Sequence, residues 1–204
     1  MGDGSSGAGW PSEDDWLDFE TLWKINQDIF KKFCSNAFYQ EDNTDQELSD
    51  LKSALDDISA SSGIDKAFIF AIMMQESNGC VRAPTTVGSH ANPGLFQSHE
   101  GEGSCNNGGS VQKPCPKTEI DQMVKDGVEG TAAGDGLKQL LGKAEGDGAQ
   151  KYYRVARMYN SGSMDPSGNL GLGGATHCYC SDIANRLTGW SKGVTGCDAT
   201  SVGA

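Results

Sequence analysis

Basic side chains are scarce in this chain of 204 residues: 16 Lys and Arg stand against 28 Asp and Glu, a formal net charge of -12. Residues 1–60 alone hold 14 acidic and 4 basic side chains, a balance of -10. Nucleic-acid binding is thereby excluded as a function class, because neutralising phosphate needs clustered cations. Adsorption to an anionic membrane or wall is disfavoured for the same reason. Long hydrophobic runs are missing too. The longest, Ala67 to Met74, falls far short of the roughly 20 apolar residues that span a bilayer. Residues 1–9 are polar and Gly/Ser-rich, with no apolar stretch of the signal-peptide kind. Aromatics are only 8% and no run alternates long enough to make a strand. Helices joined by long irregular loops are expected instead. There is no Asn-x-Ser/Thr sequon and no Cys-x-x-Cys.

Glycine and cysteine are plentiful, at 28 and 7 residues. The cysteines are Cys34, Cys80, Cys105, Cys115, Cys178, Cys180 and Cys197. Seven thiols without zinc-finger spacing read as disulfides with one thiol left over, and hence as a secreted, extracellular chain. The spacing leaves the pairing open. The short loop between Cys105 and Cys115 makes that bridge the preferred one, with Cys180 as the expected unpaired thiol. His177, Cys178 and Cys180 would need a distant fourth ligand to bind zinc, so no metal and no cofactor is expected.

Length predicts one domain, over 13–204, behind a flexible arm at 1–12. From Ser12 to Phe33, Trp16, Phe19, Trp23, Ile25, Ile29, Phe30 and Phe33 recur at steps of mostly three and four, a helical period. Thr44 and Glu47 have capping-box spacing before Leu48, Leu51, Leu55 and Ile58, and Gly63 is placed to end that helix. Over 64–80, Asp65 can cap a segment that is apolar on every side, the mark of a central buried helix. Residues 79–116 predict a long irregular excursion, and further helices are expected near 118–128, 135–142, 149–160 and 182–188. The fold class is predominantly all-α.

Glu76 is the most informative residue. It stands at the end of the buried helix, where the negative macrodipole and desolvation both disfavour a charged carboxylate, so its pKa is expected to rise. A carboxyl group that keeps its proton near pH 5–6 suits general-acid work. Further along come Gly94-Leu95-Phe96-Gln97 and, at the end of a helix, Tyr159-Asn160. Gln75-Glu76-Ser77 and these two segments resemble, in order and spacing, the signatures of the goose-type lysozyme and soluble lytic transglycosylase superfamily. There Glu-Ser, Gly-Leu-Met-Gln and Tyr-Asn recur, and Phe96 stands here at the Met position. The surrounding text looks most like secreted fungal members, and the resemblance spans about 64–190.

That resemblance implies a lysozyme-like helical domain with long irregular loops and a substrate cleft. It also implies a polysaccharide substrate of β-1,4-linked N-acetylated sugars, usually peptidoglycan. Carried over, Glu76 is the catalytic acid and Ser77 its neighbour, able to bond the carboxyl or the substrate. Gln97 faces the cleft, Gly94 lets backbone approach the sugar, Tyr159 brings a hydroxyl toward the carboxyl, and Asn160 fixes the turn after its helix. Read without the motif, Gln97 is a solvent-exposed loop residue and Tyr159 sits on an apolar helix face, where core packing explains it as well.

Goose-type lysozymes place one Asp two residues after the Gly-Leu-x-Gln motif and another between it and the acid. This chain has His99 at the first position and no Asp or Glu between Glu76 and Gly94. Soluble lytic transglycosylases also lack the second carboxylate and release a 1,6-anhydro product. Glu100 and Glu102 are close enough to the vacant position for either to serve as the base for water. Hydrolysis and transglycosylation therefore both stand. The negative charge suits neutral chitin better than an anionic wall. A non-catalytic carbohydrate-binding protein on the same scaffold is the main competitor. A thiol enzyme using Cys80, Cys105 or Cys178 with His90, His99 or His177 is a remoter one. The protein is expected to be monomeric, with no nucleic-acid or membrane partner.

Overall fold

The computed structural model describes residues 2–174, 176–192 and 196–198. Helix accounts for 50% of the chain and strand for 4%, so the fold is predominantly α. In order come α1 (Phe19–Phe30), α2 (Phe33–Phe38), α3 (Asp45–Ser62), α4 (Lys66–Ser77), β1 (Thr86–Val87) and β2 (Ala91–Asn92). These are followed by β3 (Asn106–Asn107), β4 (Ser110–Val111), α5 (Lys117–Glu129), α6 (Leu137–Lys143), α7 (Gly148–Ser161) and α8 (Tyr179–Leu187). Among the described residues, no helix is long and apolar enough to cross a membrane. The chain forms two compact units. One is Asn26–Gln139; the other joins Met1–Ile25 to Leu140–Ala204.

In the unit Asn26–Gln139, α3 starts where its capping box predicts. Thr44 Oγ1 accepts the Glu47 amide at 3.2 Å, and Glu47 Oε2 accepts the Thr44 amide at 2.7 Å. Gly63 ends the helix in the left-handed region, φ 72°, with its amide on Ser59 O. Leu48, Leu51, Ala54, Leu55 and Ile58 are buried, and α3 packs against both α4 and α5. Asp65 caps α4 by accepting the Ala67 and Phe68 amides, and every side chain from Ala67 to Met74 is buried. The apolar character on all sides of α4 therefore reflects a core helix.

Glu47 does more than cap. Its Oε1 accepts the Cys115 amide at 2.7 Å and pairs with the Arg82 guanidinium, and both side chains are at most 2% exposed. Arg82 also donates to Gln112 O and Glu41 O. Disulfides Cys34–Cys80 and Cys105–Cys115 close the same region. The excursion over 79–116 is irregular as expected, apart from two antiparallel hairpins, β1 with β2 and β3 with β4. The second turns on Gly108 and Gly109, both at positive φ as a two-residue hairpin turn of this kind requires.

The helix expected from Ser12 to Phe33 is shorter and broken. Asp18 accepts the Thr21 amide and starts α1 at Phe19. Beyond Phe30 the chain breaks, since Asn43 Nδ2 takes the Phe30 carbonyl at 2.8 Å, and α2 begins only at Phe33.

In the other unit α7 packs against α8, and Cys178 is bridged to Cys197. Residues 2–12 include several that contact α7 and the loop after it. Gln150 Nε2 donates to Asp3 Oδ2 at 3.0 Å, and the Leu170 amide donates to Gly2 O. The Trp10 ring lies 5.0 Å from that of Tyr153. The buried Tyr153 hydroxyl accepts from Trp16 Nε1 and donates to Pro11 O, each at 3.0 Å. Burial of aromatic area explains these contacts in a segment whose composition reads as loose.

Candidate functional site

The last turn of α4 carries the acidic candidate. Glu76 is half-buried, the only carboxylate in a helix otherwise packed into the core. Asn78 ends the helix at φ 48° and Gly79 follows at φ 72°, where a Cβ would stand 3.0 Å from Phe30 Cβ. Ser77 is 1% exposed. Its hydroxyl donates to Met73 O and accepts the Gly79 amide, both at 3.2 Å. The substrate or carboxyl contact expected of Ser77 gives way to a backbone one, and the residue shapes the helix end that presents Glu76.

The Gly94-Leu95-Phe96-Gln97 segment is a tight turn. Leu95 and Phe96 are fully buried, and the Gln97 amide returns to Gly94 O at 3.2 Å. Gly94 is needed for packing: φ is 74° and a Cβ would lie 2.6 Å from Met123 Sδ. Met123, a neighbour within the protein, accounts for the glycine that was expected to admit a sugar. Gln97 is not a solvated loop residue. It holds φ 46°, an unusual backbone state for a side chain-bearing residue. Its Nε2 donates to Gly94 O at 2.9 Å and Pro84 O at 3.2 Å, and its Oε1 accepts from Thr86 Oγ1 at 2.9 Å. Both amide hydrogens are occupied, so toward a ligand Gln97 can accept but not donate.

The residues around the vacant carboxylate position are engaged in the loop itself. His99 stacks on His90 with ring centroids 4.2 Å apart. Glu100, at φ 51°, accepts the Ala91 amide and lies 3.4 Å from His90 Nδ1. Glu102 is exposed, and its amide and that of Gly103 donate to Asp126 Oδ2 at 2.8 and 2.9 Å. Asp126, only 4% exposed, clamps this loop to α5. The sequence reading missed it, although a carboxylate between Val124 and Val128 on a buried helix face is a signal. Thr86, which orients Gln97, had none.

Tyr159 and Asn160 lie in the last turn of α7, in the other unit. Both are half-buried, and Gly162 caps the helix at φ 74°. Asn160 Oδ1 accepts from Arg157, a fully buried guanidinium that also donates to Leu170 O and Thr176 O at 3.2 Å. Asn160 thus bonds within its own helix, to the guanidinium that holds the Leu170 and Thr176 carbonyls. The structure groups Gly94 with Gln97, and His99 with Glu100 through His90. It ties Asn160 to Arg157.

Three bridges consume Cys80, Cys105 and Cys178, which removes all three from the thiol-enzyme reading. Cys105–Cys115 is the bridge preferred from sequence, and Cys180 is the free thiol. It is buried, and burial pushes it up to about 12, so it stays protonated and inert. Among the described residues, no group of three or more His, Cys, Asp or Glu could hold a metal ion. Compared with protein-family models, with curated proteins and with solved structures, the chain finds no match.

Proposed function

We propose that the protein is a secreted enzyme that cleaves β-1,4 bonds between N-acetylated sugars of peptidoglycan, with Glu76 as general acid. The reading rests on one observation above all: a single carboxyl group, half-buried, terminates a helix whose body is core. The order Glu76-Ser77, Gly94-Leu95-Phe96-Gln97 and Tyr159-Asn160, resembling the goose-type lysozyme and lytic transglycosylase superfamily, supports it. Three disulfides fit an exported chain.

In this mechanism Glu76 gives its proton to the bridging oxygen as the bond from that oxygen to the anomeric carbon breaks. The sugar's own C6 hydroxyl then attacks the anomeric carbon, its proton passes to the Glu76 carboxylate, and a 1,6-anhydro end results. The engagement of Glu100 with the Ala91 amide and His90, and of His99 with His90, favours this course over hydrolysis. Glu102 is the remaining candidate base for water. The net charge of -12 favours neutral chitin as an alternative substrate.

The test is Glu76→Gln, which keeps the shape and removes the acid, assayed on purified peptidoglycan and chitin oligomers with products weighed by mass spectrometry. Wild type is expected to release anhydro-ended fragments, one water lighter than reducing ends, and the variant to lose at least about 100-fold in rate. A wild type that binds glycan but cleaves nothing, or a variant equal to it, overturns the proposal. The first of those outcomes makes the protein a carbohydrate-binding module.

A further inference from the structure

The unit built on α7 carries two surface cavities of about 390 and 430 Å³, each large enough for a small ligand. Their chemistry differs. The first is walled by serines and by Glu13, Asp14 and Asp147, with no Lys or Arg. The second sets Lys143, from the end of α6, and Arg154 of α7 among Met158, Met164 and Pro166. Two cations stand there beside two thioethers, with Glu145 and Asp165 also in the wall, and no step of the proposed cleavage uses them.

We propose that the second cavity binds a carboxylate carried on a short apolar chain. The carboxylate would sit on Arg154 and Lys143, and the chain on Met158 and Met164. Arg154 is already oriented, because its Nη1 donates to Glu145 O at 3.3 Å. Its Nε is buried without a hydrogen-bond partner, which leaves the planar fork with unused donors. A guanidinium in that condition favours a carboxylate, which can take two parallel N–H bonds. Met158 lies one turn on from Arg154, on the same face of α7, so charge and apolar floor come from one helix. Methionine adapts to chains of varied shape. Two acids share the wall, Glu145 and Asp165. Glu145 is exposed, and Asp165 is turned into its own loop, where its Oδ1 accepts the Ser167 hydroxyl at 2.6 Å and the Ser167 amide at 2.9 Å. The proposal does not depend on the glycan reading.

Methyl NMR of the six methionines of the full chain reads it directly, with hexanoate as the probe and hexanamide as the uncharged control. Hexanoate is expected to shift the Met158 and Met164 methyls saturably at millimolar concentration, with hexanamide about tenfold weaker or worse. Arg154→Gln should weaken hexanoate by about tenfold, and the exposed Lys143→Gln by a smaller factor, with the other methyls unmoved. N-acetylleucine separates the sources: tighter binding than hexanoate assigns a peptide end, weaker binding a fatty chain. Absence of a saturable shift, equal binding of the amide, or binding unchanged in both variants overturns the proposal.

Discussion

In the unit Asn26–Gln139, the long excursion between α4 and α5 is tied down by two disulfides and a buried ion pair, Glu47 with Arg82. In the other unit, the N-terminal arm is held on α7 by tilted ring contacts and neutral hydrogen bonds around Tyr153, with one further bond from Gln150 to the Asp3 carboxylate. The two kinds of anchor fail under different conditions. A buried pair is strong while both partners are charged and costly when one is removed. An aromatic anchor tolerates acid, and is weakened when a buried phenol must ionise. The candidate acid and its Gln97 turn belong to the charged, cross-linked unit. That suits chemistry at mildly acidic pH only while Glu47 stays ionised.

The comparison breaks most sharply at Glu47. Burial raises its pKa, but the Thr44 and Cys115 amides and Arg82 outweigh burial and hold the carboxyl below its usual range. Its folded value is depressed, so its stabilisation is complete above the ordinary glutamate value of about 4.3 and is lost as pH falls through the folded value beneath it. Glu47→Gln keeps the size of the side chain and leaves Arg82 charged and unpaired. A loss of about 3–5 kcal/mol is expected in denaturant unfolding at neutral pH. A loss under about 1 kcal/mol would show that the disulfides, not the ion pair, carry this region.

A smaller effect is expected at Gly127, and its sign is informative. In an exposed helix interior, Gly→Ala gains up to about 1 kcal/mol. In α5 a Cβ at Gly127 would stand 2.3 Å from Phe96 Cγ. Gly127→Ala should therefore cost about 1–3 kcal/mol through overpacking. Gly127 is the space that admits the Phe96 ring. Adding Phe96→Met to Gly127→Ala should recover part of the loss, which the double-mutant cycle measures as a coupling. Additivity of the two changes would separate Phe96 from Gly127.

What the sequence made legible follows the range of its signals. The capping box at Thr44 and Glu47, the Gly63 stop and the all-round apolar α4 are written within a few residues of one another, and these elements lie where their patterns put them. Cys105–Cys115 was legible for the same reason, since its loop is short. The break after Phe30 was not, because the group that takes its carbonyl is Asn43, 13 residues on. The contacts of the N-terminal segment were not legible, because Gly and Ser composition speaks for the unfolded chain, while its partner Tyr153 lies 142 residues beyond Pro11. At the candidate site, the place of Glu76 in the last turn of a core helix was legible from the apolar run before it. The Thr86 and Pro84 contacts that fix Gln97 were not, since no local pattern marks a hydrogen bond across a loop.

The smallest effect tests the neutral anchor. Tyr153→Phe keeps the ring against Trp10 and removes only the hydroxyl, leaving Pro11 O and Trp16 Nε1 without it. A loss of about 1 kcal/mol is expected, near the worth of a hydrogen bond, with faster proteolysis confined to residues 2–11. The pH behaviour should change with it. Burial pushes the Tyr153 hydroxyl up to about 12. The folded value lies above the unfolded value of about 10, so the wild type binds more protons folded than unfolded between the two and loses stability as pH rises through that window. The phenylalanine variant lacks this group and should show a shallower alkaline decline, while its acid unfolding, governed by Glu47, stays where it was. If removing the hydroxyl altered the acid limb instead, the division between a charged and a neutral anchor would fail.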